Sequence, residues 1–433
     1  MLLYSKSITP RLRFISNFIG TELTGQSLQL TDDINVFASF DGVRINYSEQ
    51  KLTDQECWIV PQGLLSETGI QQQPIKCSDY NDKPCFFQTT GDFPFDILAA
   101  CFYLLSRYEE YLPHEKDMYG RYSHKNSIAF KQGFLNVPLV NQWVQDFADL
   151  LEKIFAGSLL QPAVFRFLPT YDIDEAWSFK HKSWARNAGA SIKDILKGRI
   201  KELRLRGKVL AHKTADPFDA YEWMHSLHDR YKLEPYYFFL LPSRTGRYDR
   251  NILPTQSALK ELIRIHRKRY RVGIHPSWQS GDDTALLKQE IGTLSSIINE
   301  KVVSSRQHFI RFTLPATFRL LMDAGIREDF SMGYGSINGF RASCASPFYW
   351  YDLEKEKQTD LLLCPFCYMD ANSFYEQKLS AAEALDEMRH YYRVVKNVNG
   401  LLITLWHNTF LGTDYRFAGW RDVYEQFLHE SHQ

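Results

Sequence analysis

No apolar run in this sequence approaches the ~20 residues that a bilayer-crossing helix needs. Net charge is lacking too: 51 Lys and Arg balance 51 Asp and Glu, so no overall field points to nucleic acid or to a membrane. Cysteine is sparse, with seven residues, odd in number and scattered, which argues against a disulfide framework. A single CxxC, Cys364 to Cys367, has no second pair at zinc-ribbon spacing and continues an apolar strand (LLLCPFCYM), so it reads as buried thiols. The first residues lack the apolar core and small-residue cleavage site of a secretion signal, and a reducing cytoplasm is the expected location. What the chain does have is aromatic weight, 15% of its residues, including nine Trp. That suits sugar-stacking surfaces and dense cores equally.

At 433 residues the chain is long enough for more than one domain. Residues 1–160 show short strand-like pieces (INVFAS, VRINYS, CWIVP) and one strongly apolar helix, FDILAACFYLLSRYEEYL, whose role is core packing. They read as a smaller α+β domain without a chemistry motif. Residues 161–433 alternate strand and helix in about seven β/α units. A strand ending at Asp172 is followed by PFDAYEWMHSLHDRY, with Asp216 as N-cap, then by PYYFFLL, SALKELIRIHRKR and YRVGI. TALLKQEIGTLSSIINE, HFIRF, PATFRLLMDAG, EDFSM, TDLLLCPF and LLITLW complete the series, with a capping box from Ser380 to Glu383 before the last strand. This pattern predicts an α/β fold, a parallel barrel or wound sheet with helices outside, whose active site lies at the C-terminal strand ends.

That rule selects residues. PTYDID closes the first strand with Asp172 and Asp174, which project to the same side because strand periodicity is two. Like charges so placed call for a cation or a shared proton, although acids that cap a helix or sit in a solvated turn are also common. Other strand ends carry His275 (GIHPSW), Asp329 (EDFSMGY) and His407 (LWHN), while His308 and Arg311 fall in RQHFIRF. Several Asp and His at one end of a parallel sheet are hard to explain as isolated structural groups.

The motifs TYDID, HPSW, RFTLP and WHN, in this order on successive strands, resemble those of the NodB-homology polysaccharide deacetylases. The likeness covers roughly residues 164–430. Residues before it resemble the extra N-terminal domain of a bacterial subgroup. The resemblance implies an irregular parallel (β/α) barrel of about seven strands and a metal-dependent hydrolase. It implies Asp172 as general base and Asp174 and His275 as metal ligands. The second histidine of the family's pair is replaced by Gln279, which leaves His308 as the candidate third ligand. Arg311 would orient the base, His407 would act as general acid, and Asp329 would raise the pKa of His407.

Two imidazoles and a carboxylate suit Zn²⁺ and leave room for water and a carbonyl oxygen. The expected reaction is removal of an N-acetyl group from a sugar in a glycan or a lipid-linked precursor. Cleavage of a small cyclic amide or ureide, and glycan binding without catalysis, are the alternative readings. No nucleic-acid partner is expected. Arg341, in GFRAS, could contact substrate or pair with a nearby acid. Finally, residues 179–213 interrupt the first β-to-α connection with a basic stretch. There SIKDILKGRIKELRLRG (residues 191–207) reads as one amphipathic helix, either packed with a solvated charged face or peripheral to an anionic membrane.

Overall fold

The structure, a computed structural model, describes residues 1–156 and 163–432. The expected boundary at 160/161 lies outside the described residues. The N-terminal sheet is built from β1 (Leu2–Tyr4), β2 (Gln29–Thr31), β3 (Arg44–Tyr47) and β4 (Cys57–Ile59) in the order β2-β1-β3-β4. All its pairings are parallel, with helices α1 (Pro10–Thr24) and α2 (Ile34–Ser39) in the crossovers. This corrects the α+β expectation. INVFAS, read as a strand, is α2, because Asp33 caps it by accepting from Asn35 and Val36 N–H. A β5–β6 hairpin (Ser78–Tyr80, Lys83–Cys85) precedes α3 (Ile97–Leu105), every residue of which is buried. Short α4 (Ile128–Lys131) and α5 (Leu139–Ile154) complete this part.

The C-terminal sheet contains β7 (Arg166–Ile173), β8 (Tyr236–Leu240), β9 (Arg271–His275), β10 (Ser304–Ser305), β11 (Glu328–Asp329), β12 (Phe348–Asp352), β13 (Lys357–Leu363), β14 (Tyr368–Met369) and β15 (Leu401–His407). Its order is β12-β13-β11-β10-β9-β8-β7-β15-β14, and every pairing is parallel except the β12–β13 hairpin. Among the described residues no ladder joins β12 to β14, so the expected seven-stranded barrel is seen as a nine-stranded sheet with unjoined ends. Helices α6 (Trp184–Leu196), α7 (Ile200–Leu210), α8 (Tyr221–Tyr231), α9 (Ser257–Arg269), α10 (Thr284–Ile298), α11 (Ala316–Asp323), α12 (Ala381–Asn397) and α13 (Trp420–Ser431) connect or follow the strands. The capping box at Ser380 and Glu383 forms as read. Asp216 does not start α8. It instead accepts from the N–H groups of Ser178, Phe179, Lys180 and Phe218, tying off the segment that carries α6 and α7.

The two parts share one hydrophobic core. Phe14 and Phe102 pack on Tyr351 of β12, with ring centroids 5.1 and 5.2 Å apart. A buried ion-pair group crosses the same junction: Glu110 accepts from Arg107 at 2.8 Å and from Arg341 at 2.8 and 2.6 Å. Arg341 therefore pairs with an acid of the N-terminal part. The thiols of Cys364 and Cys367 are buried and free.

Candidate active site

Parallel register brings the strand-end residues together. His407, the last residue of β15, lies opposite Asp172 on β7. Two strands away His275 ends β9, opposite Leu240. Between them the Phe238 ring lies under the guanidinium of Arg306. A Cβ at residue 273 would come within 2.6 Å of the Phe238 ring, so Gly273 is what lets β8 and β9 approach here. The fourth strand is β10, not HFIRF. After it the chain turns sharply through Phe309 (φ 59°) and Ile310 (φ 53°), and this turn delivers His308 to the site.

Asp174, His275 and His308 offer ligand atoms that all lie within 4.8 Å of one another. His275 Nδ1 is 2.6 Å from the Arg306 carbonyl oxygen, which can only accept, so Nδ1 carries a proton and the ring is held with Nε2 toward the site. That Nε2 is 3.1 Å from Asp174 Oδ1, a buried atom with no hydrogen-bond partner. His308 is held the same way: its Nδ1 donates to Asp249 Oδ1 at 3.1 Å, and its Nε2 is 3.5 Å from Asp174 Oδ2. Gln279 occupies the place of the missing histidine and donates to Asp249 Oδ2 at 3.0 Å. Burial resists ionisation of Asp174, but the His308 and His275 rings outweigh it and hold the carboxyl well below the usual range. For His308, burial opposes the charge while Asp174 and Asp249 raise its pKa to about 9.

Two further pairs flank this triad. Arg306, fully buried, donates to Asp172 Oδ1 at 2.9 Å and to the Phe330 carbonyl at 3.0 Å, with its guanidinium 4.6 Å from the Phe238 ring centroid. Asp370, following β14, accepts from both Nδ1 and the backbone N–H of His407, at 2.6 and 2.7 Å. This leaves His407 Nε2 3.6 Å from Asp174 Oδ2. Burial disfavours the imidazolium of His407, yet Asp370 and the neighbouring carboxylates raise it to about 10.

Two expectations are corrected. Arg311 does not reach Asp172. It pairs with Asp282 and lies over Trp278, because the left-handed turn at Phe309 and Ile310 carries it away from the strand ends. Asp329 does end β11, but it accepts from Ser305 at 2.7 Å and Ser331 at 3.1 Å instead of serving His407, and burial pushes its pKa up to about 6. Arg306 and Asp370 stand where those two were expected. Asp249 was missed as well, since it lies in a loop (RYDRN) without periodic signal.

Asp172, Asp174, His275, His308 and His407 open into a cleft of about 640 Å³. On one side Tyr248 stacks on Trp278 at 4.2 Å, with Phe309 and Tyr119 against them. Phe410 and Phe417, 4.1 Å apart, line the other side. Tyr119 and Arg121 come from the N-terminal part. Arg121 donates to the Phe309 carbonyl at 2.8 Å and so grips the turn that carries His308.

Residues 1–156 match a family described as of unknown function (DUF7033). No curated protein matches the chain. Among solved structures, the chain is similar to a candidate polysaccharide deacetylase from Mycobacterium smegmatis, at 14% identity and a TM-score of 0.39, over 62% of this chain and 84% of that one. It is similar to Puue allantoinase at 12% identity and a TM-score of 0.40, over 62% and 84% of the two chains. It is also similar to the polysaccharide deacetylase Bc1974 from Bacillus cereus, at 8% identity and a TM-score of 0.32, over 61% and 88%.

Proposed function

We propose that the chain is a metal-dependent hydrolase that removes N-acetyl groups from a sugar in a glycan or glycan precursor. The observation that carries this reading is the pair of imidazole Nε2 atoms aimed at the partnerless Oδ1 and the Oδ2 of Asp174, each ring held from behind by an acceptor. A histidine ligand fixed through its other nitrogen is the usual support of a metal site. The donor set, two imidazoles and one carboxylate, suits Zn²⁺. When bound, a divalent metal would supply an acidified water and polarise the acetamide carbonyl.

The chain's own residues account for the proton movements. Asp172 accepts a proton from the attacking water, and Arg306 fixes the orientation of its carboxylate. The water oxygen bonds to the acetyl carbon, and the C–N bond breaks as the nitrogen takes a proton from His407 Nε2. Acetate and the free amine leave. Asp370 keeps His407 in the protonated form that this step requires. The aromatic faces on both sides of the cleft suit the apolar faces of a pyranose ring. We assign the hydrolytic groups to residues 161–433 and one wall of the cleft to residues 1–160. Free cysteines throughout the described residues fit a reducing compartment.

The test is acetate release from N-acetylated oligosaccharides by purified protein, with metal content measured by mass spectrometry. One metal per chain and acetate release, both lost in Asp174→Asn, are the expected results. A chain that binds no divalent metal, or an Asp174→Asn variant that keeps its activity, would overturn the proposal.

A further inference from the structure

In the segment between β7 and α8, α6 buries polar side chains and exposes apolar ones, while α7 buries Val209 beside Arg206. Among the described residues sixteen large hydrophobic side chains stand exposed, and six of them, Trp184, Ile192, Ile195, Leu196, Ile200 and Leu210, lie on α6 and α7. Trp184 is 85% exposed and Leu196 is 81% exposed. On α6, residues 184, 188, 192 and 195 fall on one face at helical spacing, and that face is apolar. The buried residues of α6 are Asn187 and Asp194. Asn187 Nδ2 donates to the Phe179 carbonyl at 3.1 Å. Arg206 of α7 donates to Asp194 at 2.6 Å and to the Asn187 carbonyl at 3.0 Å. An ordinary surface helix packs its apolar stripe and solvates its polar one. Here the buried Asp194–Arg206 pair locks the opposite orientation, because rotating the stripe inward would strand that pair.

Charge says what covers the stripe. Lys193, Lys197, Arg199, Lys201, Arg204 and Lys208 are all exposed on the same two helices and the turn between them. The two acids of α6 and α7 are both engaged, Asp194 with Arg206 and Glu202 with the Tyr415 hydroxyl at 3.0 Å. A second copy of this chain docked two-fold on the same face would bring basic rims together with no acid to answer them. An acidic soluble ligand would leave the Ile and Leu side chains uncovered. Exposed apolar side chains together with exposed basic ones match an anionic bilayer, whose acyl boundary takes the first and whose headgroups take the second.

We propose that α6 and α7 form a docking surface for an anionic membrane. Gly198, at φ 65°, breaks the basic segment into two helices, so that Ile200 joins the apolar side chains of α6 in the exposed set. The surface stands beside the cleft mouth: Arg186 donates to the Arg250 carbonyl at 2.6 Å, and Arg250 lines the cleft. Docking would therefore hold the cleft mouth near the lipid headgroups. This inference rests on packing and charge and is independent of the reaction proposed above.

The test is co-sedimentation of the full chain with phosphatidylcholine vesicles with and without phosphatidylglycerol. It is run at low ionic strength, where the Debye length is about 30 Å, and at high, where it is about 3 Å. Binding is expected only with phosphatidylglycerol and should weaken strongly with salt. Changing Lys197, Arg199, Lys201 and Arg204 to Gln should weaken it by on the order of a hundredfold or more. Ile192→Ser with Ile195→Ser and Leu196→Ser should weaken it by about tenfold or more while leaving metal content unchanged. Should that triple variant fold poorly, brominated acyl chains give a second readout. They should quench Trp fluorescence in the parent chain and markedly less in Trp184→Phe. Absence of binding at low salt, binding indifferent to these substitutions, or no quenching assigned to Trp184 would overturn the proposal. So would a concentration-dependent dimer that the triple variant dissolves, which would make the second copy the occupant.

Discussion

In the proposed reaction Asp370 is the side chain that suits His407 to act as an acid. Its carboxylate holds Nδ1 and, with the neighbouring acids, lifts the imidazolium to about 10 against the opposing effect of burial. The proposed reaction needs the acid form, so activity should fall as pH rises through that pKa. Asp370→Asn should therefore move the alkaline limb of the kcat–pH profile to lower pH. An unmoved limb would show that another group gives the proton. Asp172→Asn should abolish turnover and retain metal. It should also lower the melting temperature, because Arg306 is left buried without its anion, a loss on the order of 3–5 kcal/mol. At this scale the legible residues were those at the ends of long strands, Asp172, Asp174, His275 and His407. Arg306 also follows a strand, but β10 has only two residues and leaves no pattern to read. Asp370 follows another two-residue strand, and Asp249 lies in a loop.

The turn after β10 shows how an element can depend on a remote one. It places two consecutive non-glycine residues, Phe309 and the β-branched Ile310, in the left-handed region, a costly conformation that persists where the surroundings enforce it. Arg121 is one enforcer, through its bond to the Phe309 carbonyl. Arg121→Ala should leave the sheet intact and weaken metal affinity by roughly tenfold, the lower range for loss of a supporting contact. Chelator competition would measure it, and unchanged affinity would remove Arg121 from this role. Long helices such as α9 and α10 were readable from apolar spacing alone. The basic stretch was readable as helical, but its break at Gly198 and its reversed packing depend on the Asp194–Arg206 pair, which spacing does not reveal.

Across the whole molecule, Glu110 joins the two parts. Burial resists its ionisation, but Arg341 and Arg107 hold its pKa at about 2, against 4.5 for a free glutamate. A depressed carboxylate adds stability that is fully present above pH 4.5 and is lost as pH falls through about 2. The shift corresponds to about 3 kcal/mol. Glu110→Gln should lower stability at neutral pH by an amount of that order, and the gap to the parent chain should narrow below pH 4.5. Thermal unfolding across this range would check it, and a gap that persists at the acid end would assign the loss to packing.

The strand order also sets when the site can exist. β15 inserts beside β7, so that Thr170 and Thr404, 234 positions apart, share a hydrogen bond. Contacts of that separation form late, because loop closure must precede them. A nascent chain emerging from the ribosome could present Asp174, His275 and His308 while still lacking β15, and with it His407. In the proposed hydrolase, metal capture would thus precede the acid that completes the constellation. The order of synthesis would then separate a binding stage from a working one.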